Sequence, residues 1–314
     1  MKTYCIENSY LKLYCMEYGA AITSLYTKDK NGNDTNVVLG FKSLEDYQNH
    51  GYCLGASLGR YAGRIGGGYF EIDGQHYPIY NENGVHLHGG KNGFHKRFWT
   101  VEKVTETSIT FVIESEAMDE GYPGNLTAKV TYALDDNKVV NTYTAVSDAK
   151  TILNLTNHNY YNLNGEGDVL SHELYLNADN FLEVTETQIA TGKLVPVSNT
   201  PFDFRTPTVI NEQEGFTGVD DCFELKDSHA ATLYSEKTGI EMKVTTNQPG
   251  VVVFTPEDLG TCNFKDDAVF NNYSSICFET QNFPNAPHHP HFPSAILEAG
   301  ETYVNESSFE FSIR

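Results

Sequence analysis

The sequence predicts an all-β fold in which the chain forms one large antiparallel β-sandwich. Aromatic residues make up 12% of the 314 residues and include 20 Tyr and 18 Phe, while the long Ala, Leu, Glu and Lys runs of helical proteins are missing. This composition favours strands. Many segments also alternate polar and apolar residues, and short turn sequences separate them. Because tight turns join antiparallel neighbours, the sheets should be mainly antiparallel.

Strict alternation of polar and apolar residues marks the clearest strands. Residues 108–114, 126–132 and 138–145 each carry apolar side chains at about every second position. Successive side chains of a strand point to opposite faces of its sheet, so this pattern predicts strands with one buried face.

Three short polar sequences mark hairpin turns. The pair Asp73-Gly74 predicts a type I′ turn, because both residue types tolerate a positive φ. Residues 135–137 and 237–239 separate strand-like sequence in the same way. The flanking segments are 69–72 and 75–78 for the first turn, and 231–234 and 240–244 for the last.

Helical sequence is short, and nothing divides the chain. Residues 43–48 begin with Ser43, a preferred N-cap residue, and have an acidic residue three positions later, enough for one or two helical turns. No Pro/Ser-rich linker or fixed-period repeat occurs, which predicts a single domain over residues 1–314. Typical strand and turn lengths predict about 16 or more strands. The Pro-rich residues 283–293 should form an irregular loop.

The chain is strongly acidic. It carries 42 acidic and 21 basic residues, a formal net charge of -21, so its field repels a nucleic-acid backbone and an anionic membrane surface. The same charge balance is typical of an adaptation for solubility, so it favours a neutral ligand without specifying one. Residues 1–21 lack a basic segment followed by an apolar one, no stretch of about 18 apolar residues occurs, and the six cysteines form no C-x-x-C pair. We therefore expect a cytoplasmic protein with reduced thiols.

Two clusters can be interpreted as anion or metal sites. Arg60 and Arg64 stand four residues apart in a glycine-rich run, but the run matches no P-loop and precedes no long helix, which argues against a phosphate-binding loop. His86 and His88 would share one face of an extended strand, as two metal ligands do. A third ligand is missing nearby, and the histidines of residues 283–293 lie in the irregular loop, so the metal interpretation is weak.

Two polar interruptions of strand-like sequence point to a sugar. Residues 154–163 combine Asn, Tyr and the histidine His158. Amides supply donors and acceptors for hydroxyl groups, and aromatic rings pack against the apolar face of a sugar. Glu279 interrupts the apolar run at 276–281, where a carboxylate is costly to bury unless it is hydrogen-bonded or functional. Neither residue is decisive alone, and a functional assignment needs the two in combination.

Several motifs complete a pattern of order and spacing along the chain. They are Gly59-Arg60-x-Ala-x-Arg64-Ile, His86-Leu-His88-Gly-Gly90 with Gly93-Phe94 and Trp99, Leu155-Thr-Asn-His158-x-Tyr160-x-Asn-Leu163, Phe202-Asp-Phe-Arg205, Asp220 with Phe223, Gln248-Pro-Gly250, Glu279-Thr-Gln281, and Phe292-Pro with Gly300-Glu-Thr-Tyr303. Together they resemble the aldose 1-epimerase (galactose mutarotase) family. The resemblance spans nearly the whole chain, from Tyr18-Gly-Ala20 to the C-terminal strand.

The resemblance implies a fold, a reaction and a set of site residues. The fold is a large antiparallel β-supersandwich of the galactose mutarotase type, with the site on a concave sheet face. The reaction interconverts the α and β anomers of free aldohexoses such as glucose and galactose, or of the reducing end of maltose. No metal or other cofactor is implied, and we expect a monomer or homodimer. His158 matches the general acid and Glu279 the general base, and the residues that match sugar-holding or supporting positions are Arg64, His88, Tyr160, Asp220 and Gln248.

Three positions depart from the usual pattern of the family. Gly63-Arg64 stands where the family usually has Asn-Arg. Ala190-Thr-Gly192 replaces Pro-Thr-Gly, and Pro284-Asn285-Ala286 replaces Pro-Asp-Ala. The missing amide at Gly63 removes one hydrogen-bonding group from the expected sugar rim. We expect catalysis to survive this change, whereas it leaves the preferred sugar open.

Ordinary pKa values predict the protonation of the acid and the base. With a pKa of about 4.3, Glu279 would be ionised at neutral pH, and with a pKa of about 6.5, His158 would be partly protonated. A neighbouring carboxylate such as Asp220 would raise the protonated fraction of His158. These values predict a bell-shaped pH profile in which Glu279 sets the acid limb and His158 the basic limb.

Three other functions fit parts of the sequence. A hexose 6-phosphate epimerase of related fold would need a basic pocket, and the sequence has no Lys/Arg cluster. A non-catalytic sugar-binding protein should lack the acid or the base. A glycoside hydrolase would use Glu279 and Asp220 as paired carboxylates and would leave His158 without a role.

Overall fold

The computed structural model describes residues 2–260 and 262–314. These residues form 27 β-strands, one α-helix and five short 3₁₀ helices. All pairings between the strands are antiparallel, and the parallel contacts are isolated bridges. The all-β, antiparallel prediction is therefore confirmed.

The strands and helices follow one another closely along the chain. The first half contains β1 (Tyr4–Glu7), β2 (Lys12–Cys15), β3 (Ile22–Lys28), β4 (Asp34–Asn36), α1 (Leu44–Asn49), β5 (Ser57–Leu58), β6 (Arg64–Gly66), β7 (Tyr69–Ile72), β8 (Gln75–Pro78), β9 (Val85–Leu87), β10 (Thr100–Val104), β11 (Ser108–Ser115), β12 (Leu126–Asp135), β13 (Lys138–Ser147), β14 (Thr151–Ile152) and β15 (Thr156–Asn157). The second half contains β16 (Tyr160–Tyr161), β17 (Glu173–Leu176), β18 (Ala178–Val184), β19 (Ala190–Pro196), β20 (Thr208–Val209), β21 (Asp220–Leu225), β22 (His229–Tyr234), β23 (Ile240–Thr246), β24 (Gly250–Phe254), β25 (Ile276–Gln281), β26 (Ile296–Leu297) and β27 (Thr302–Ile313). The 3₁₀ helices are Phe94–Lys96, Asp119–Gly121, Ile210–Glu212, Lys265–Asp267 and Ala286–His288.

Two large sheets dominate the architecture. A nine-stranded sheet has the order β10-β11-β12-β13-β27-β23-β22-β17-β20, and a six-stranded sheet has the order β16-β25-β24-β21-β18-β19. A four-stranded sheet, β1-β2-β3-β4, and several two-stranded ribbons complete the fold. The ribbon β6-β9 and the β18-β19 hairpin border the cavity described below.

The main hydrophobic core draws on both large sheets. Phe111 and Tyr132 enter it from the nine-stranded sheet, and Val253 and Phe278 enter it from the six-stranded sheet. Each such side chain stabilises the fold by about 1.5–3 kcal/mol when it is fully buried. Because alternate side chains of a strand point to opposite faces, the neighbours of Val253 and Phe278 point away from this core.

The elements predicted by alternation are confirmed, with slightly different ends. The predicted strands at 108–114, 126–132 and 138–145 are β11, β12 and β13, which extend one to three residues further. The Asp73-Gly74 turn joins β7 to β8 with φ values of 52° and 79°. Positive φ at both residues is the signature of the predicted type I′ turn.

The predicted helix and loop also occur. Ser43 caps α1, and its Oγ accepts a hydrogen bond from the Asp46 N–H at 3.1 Å. Residues 283–293 are irregular apart from the 3₁₀ helix Ala286–His288. The single-domain organisation stays a prediction. Within the described part of the chain, no helix is long and apolar enough to cross a membrane.

Candidate active site

The outward face of the six-stranded sheet forms the floor of a cavity. Val252 on β24 lies opposite Glu279 on β25, and Cys222 on β21 lies opposite Val252. In the next row, Phe254 lies between Asp220 and Cys277. Strand alternation therefore places Asp220 and Glu279 on one face, two strands apart.

The cavity has a volume of about 180 Å³ and two contrasting sides. Apolar side chains, among them Leu182, Val184 and Val252, cover the side toward β18. The polar groups that line the cavity are Arg64, His88, His158, Gln188, Asp220 and Glu279, with the rings of Tyr52 and Tyr160 beside them. A cavity with an apolar wall and a few convergent polar groups is typical of a small-molecule site.

Backbone hydrogen bonds to the segment before β5 fix His158 between β15 and β16. Its N–H donates to the Ala56 carbonyl, and its carbonyl accepts from the Gly55 N–H, both at 2.9 Å. The imidazole stacks on the Tyr160 ring, with centroids 4.9 Å apart and planes inclined by 17°. The Tyr160 ring therefore packs against one face of the predicted acid, and both rings are buried.

His158 and Glu279 meet in the floor of the cavity. His158 Nε2 lies 3.3 Å from Glu279 Oε1, and both side chains are less than a tenth exposed. Burial lowers the pKa of His158 to about 4. Burial, and then the negative charge of Asp220, raise the pKa of Glu279 well above its ordinary value, while Arg64 opposes this rise. Both shifts favour a neutral imidazole beside a protonated carboxyl group, and two groups this close titrate as a pair.

These directions differ from the values expected from the sequence. Glu279 is not an ordinary carboxylate, because its position on the sheet removes it from water. Asp220 does not raise the pKa of His158; it lies instead beside Arg64, with the guanidinium Nη2 and the carboxylate Oδ2 3.4 Å apart. For the free protein, these pKa directions favour the opposite assignment of the two pH limbs from the one expected from the sequence.

His88 enters the cavity from the end of β9. Its Nδ1 accepts a hydrogen bond from the Gly63 N–H at 3.2 Å, which assigns the proton of a neutral imidazole to Nε2. Burial is the first cause that lowers the pKa of His88 well below its ordinary value, followed by the nearby His158. His88 is therefore a neutral ring with one donor, and its ring lies edge-on to that of His158 at 5.7 Å.

Gln248 is the predicted site residue that the structure does not bring to the cavity. It lies in the turn between β23 and β24, where its Nε2 donates to the Asn247 side chain at 2.7 Å. The residue of this region that does line the cavity is Val252, four positions later. The other predicted residues, Arg64, His88, Tyr160 and Asp220, line the cavity with His158 and Glu279.

Arg60 and His86 are buried and do not line the cavity. Arg60 is buried, and its guanidinium donates to Ser115 Oγ at 2.9 Å and to a set of backbone carbonyls, including that of Gly124 at 2.9 Å. His86 is buried against Tyr122, whose hydroxyl lies 2.5 Å from His86 Nε2. His88 has a φ of 49°, so the two histidines do not continue one extended strand. Within the described ranges, no group of three or more His, Cys, Asp or Glu residues is arranged to hold a metal ion.

Sequence reasoning missed Gln188 and the apolar wall. Gln188 lies in the turn between β18 and β19, and no motif marked it. The wall residues Leu182, Val184 and Val252 belong to strands, and a strand sequence does not state which face will border a ligand. The order of the strands in the sheet would have identified them, because their side chains lie on the same face as the side chain of Glu279.

Comparison with known proteins shows the family of the chain. A protein-family model described as aldose 1-epimerase matches residues 2–310. The chain belongs to the aldose 1-epimerase family. It is 40% identical to the galactose mutarotase of Sus scrofa over 320 residues, which cover 98% of this chain and 93% of that protein. It is 33% identical to the aldose 1-epimerase of Escherichia coli K12, with 97% and 93% covered.

Solved structures of aldose 1-epimerase homologues share the fold. The aldose epimerase homologue from C. elegans superposes with a TM-score of 0.94 at 31% identity and covers 99% of both chains. A galactose 1-epimerase from Lactobacillus acidophilus gives a TM-score of 0.86 at 27% identity, covering 99% of this chain and 94% of that one. The expected supersandwich fold is thereby confirmed. As a family member, the chain is an isomerase that acts on carbohydrates.

Proposed function

We propose that this aldose 1-epimerase interconverts the anomers of free aldohexoses, with His158 as the acid and Glu279 as the base. The observation that carries the proposal is the 3.3 Å contact between His158 Nε2 and Glu279 Oε1 in the cavity floor. The two oxygens that exchange protons in mutarotation are bonded to the same carbon, C1. An acid and a base for these oxygens must therefore be close neighbours, as this pair is.

Ring opening needs one proton taken up and one released. Glu279, as a carboxylate, removes the proton of the C1 hydroxyl, and the electrons of that O–H bond form the aldehyde. The C1–O5 bond breaks, and O5 takes a proton from the His158 imidazolium. Rotation about C1–C2 presents the other face of the aldehyde, and the reverse transfers close the ring as the other anomer.

Burial of the pair acts in opposite directions on the two halves of this cycle, because it favours ring opening and opposes reclosure. Before ring opening the pair is an imidazolium and a carboxylate, and afterwards it is a neutral imidazole and a carboxylic acid. The two forms contain the same number of protons. Desolvation disfavours the charged form, as the lowered pKa of His158 and the raised pKa of Glu279 reflect. The proposed proton transfer to the sugar thus leads toward the form that the cavity floor favours.

The other polar groups of the cavity suit a neutral sugar. Arg64 is the only Lys or Arg among the described residues that line the cavity, and it lies beside the Asp220 carboxylate. Asp220 and Glu279 line this small cavity and would disfavour a phosphate dianion there, which argues against a hexose 6-phosphate as the substrate. The neutral His88 offers one N–H donor. We propose glucose, galactose and the reducing end of maltose as substrates; a cytoplasmic location and a monomer or homodimer stay predictions.

Polarimetry on freshly dissolved α-glucose and α-galactose tests the assignment. Glu279→Gln and His158→Asn should each reduce kcat by about 10²–10⁴-fold, the usual contribution of one acid–base group. Circular dichroism should show that both variants fold. A folded variant that equilibrates the anomers at the wild-type rate would contradict the assignment.

A further inference from the structure

Gln188 combines two properties that point to a ligand. Its side chain lines the cavity, and its amide oxygen is buried without a hydrogen-bond partner. Among the described side chains that line the cavity, His158 is the only other one with such an unpartnered buried polar atom. Buried polar atoms of folded proteins nearly always have a partner, so these two atoms require an explanation. At His158 the unpartnered atom is Nδ1, whereas Nε2 faces Glu279, so the acid–base role does not account for it. The Gln188 amide is the unpartnered group that a turn holds beside the cavity.

The backbone around Gln188 is firmly held. Its N–H donates to the Thr185 carbonyl at 2.9 Å, and the Ile189 N–H donates to Thr185 Oγ1 at 3.2 Å. Ile189 packs directly over Gly66, where an added Cβ would approach Ile189 Cγ2 to 3.0 Å. Gln188 has a φ of 62°, a left-handed conformation that is unfavourable for a residue with a long side chain. The turn therefore presents Gln188 from a fixed position beside the ribbon that carries Arg64.

Gln188 also belongs to the part of the cavity that departs from the family pattern. The departures at Ala190 and Asn285 are in direct contact, because Asn285 Nδ2 donates to the Ala190 carbonyl at 2.9 Å. The Asn285 N–H donates to the Arg64 carbonyl at 2.8 Å, next to the third departure, Gly63. We call Gly63, Ala190 and Asn285 the rim corner. Gln188 precedes Ala190 by two residues and offers an amide to a rim that lacks one at Gly63.

We propose that Gln188 is a sugar-binding residue whose side-chain amide forms a hydrogen bond with a substrate hydroxyl remote from C1. This inference rests on the proposed function for the position of C1 beside Glu279. The turn that carries Gln188 joins strands that lie on the far side of β24 and β21 from Glu279, so its partner lies at the opposite end of the sugar. An amide beside an apolar wall discriminates between sugars, because a wrongly placed hydroxyl loses water without gaining a partner.

The experiment compares two glutamines. Gln188→Met preserves the size of the side chain and removes its hydrogen bonds, and Gln248→Met makes the same change at the glutamine that lies outside the cavity. On glucose and galactose, we expect Gln188→Met to lower kcat/KM about tenfold and Gln248→Met to leave it within about twofold. Gln188→Gly, which suits the left-handed backbone, should show the same loss as Gln188→Met.

Deoxy sugars identify the hydroxyl and separate binding from structural damage. On the 3-, 4- and 6-deoxy analogues, the tenfold difference between wild type and Gln188→Met should disappear for the one analogue that lacks the partner hydroxyl. An equal loss on every analogue would show that Gln188 acts on the structure and would overturn the proposal. An undiminished kcat/KM in both Gln188 variants would overturn it as well.

Methyl glycosides distinguish a failure of this inference from a failure of the proposed function. A methyl glycoside cannot open its ring, so its binding requires no catalysis. In titration calorimetry, Gln188→Met should weaken the binding of methyl galactoside or methyl glucoside by about the same tenfold factor. If the wild type binds these compounds but does not mutarotate free sugars, the proposed function fails while the test of Gln188 still holds. Unchanged binding in Gln188→Met would reject Gln188 as a sugar-binding residue.

Discussion

The floor and the rim of the cavity hold their polar groups in different ways. On the floor, His158 and Glu279 are 7% and 4% exposed, and strand pairing or backbone hydrogen bonds at both ends of the residue fix them. On the rim, Arg64 and Asp220 are 26% and 31% exposed, and their ion pair faces solvent. The floor therefore perturbs pKa values strongly, whereas the exposed ion pair of the rim is worth little by itself.

Under the proposed function, this difference between floor and rim separates proton transfer from recognition of the sugar. In the proposed function, proton transfer needs an acid and a base at fixed positions beside C1, and the buried pair of the floor supplies both. Recognition of one sugar among several needs polar groups that can change without disturbing the floor. The three departures from the family pattern agree with this division, because Gly63 and Ala190 line the cavity outside the His158–Glu279 pair and Asn285 is hydrogen-bonded to Ala190.

The largest expected effect tests whether His158 and Glu279 act as one catalytic unit. If His158 and Glu279 exchange one shared proton, removing either one disables the pair, and removing both costs little more. We expect the double variant Glu279→Gln/His158→Asn to have a kcat within roughly tenfold of the kcat of the less active single variant. Polarimetry on α-galactose measures all three rates. Independent losses that multiply in the double variant would break the comparison, because the two residues would then act separately.

The sequence predicted the floor far better than the rim. The apolar run at residues 276–281 predicts a strand, and β25 has those bounds, so the sequence alone indicates that Glu279 lies within a sheet. The role of His158 came from its family motif, but its contact with Glu279 depends on pairing between β16 and β25, more than a hundred residues apart. Burial of the pair, and with it both pKa directions, follows from that pairing and is not visible in either motif.

Rim positions depend on turns whose backbone the sequence does not specify. His88 and Gln188 both adopt a positive φ, which is uncommon for any residue other than glycine and which the sequence does not mark at either position. An extended backbone would have put His88 on the face of His86, whereas the observed turn directs it into the cavity. Gln248 was assigned from its motif, yet it lies in the β23–β24 turn, and the cavity receives Val252 instead.

A smaller effect links the rim to the floor through charge. Asp220 raises the pKa of Glu279 and Arg64 lowers it. In the profile of kcat/KM against pH, activity is lost on the basic side when the pair gives up its shared proton. Removing the Asp220 charge lowers the pKa of Glu279, so Asp220→Asn should move the basic limb to lower pH. Over roughly 10 Å, the distance of two strand spacings, the expected move is about 0.3–1 pH unit.

The matched variant for this electrostatic link is Arg64→Gln, which should move the basic limb to higher pH. Both variants should also lower kcat/KM by about 10–100-fold through lost contacts with the sugar, which makes the position of the limb, and not the rate, the informative quantity. Limbs that coincide with the wild-type limb in both variants would show that the rim does not set the proton affinity of the floor.

The smallest expected effect tests the rim corner alone. Gly63 has a φ of 78°, and a Cβ there would lie 3.2 Å from both Gln281 Nε2 and Pro284 Cγ. Gly63→Ala adds this crowding and places a residue with a Cβ in the left-handed conformation, which should destabilise the protein by about 1–2 kcal/mol, measured by thermal unfolding. Gly63→Asn adds the same Cβ together with the amide that the family usually has, and asparagine tolerates the left-handed backbone better. If an amide at this position contacts the sugar, the Asn variant should have a KM about three- to tenfold below that of the Ala variant, with equal kcat because the floor is unchanged. Equal KM values on glucose, galactose and maltose would mean that position 63 does not select the sugar, and the distinction between a catalytic floor and a selective rim would then rest on Gln188.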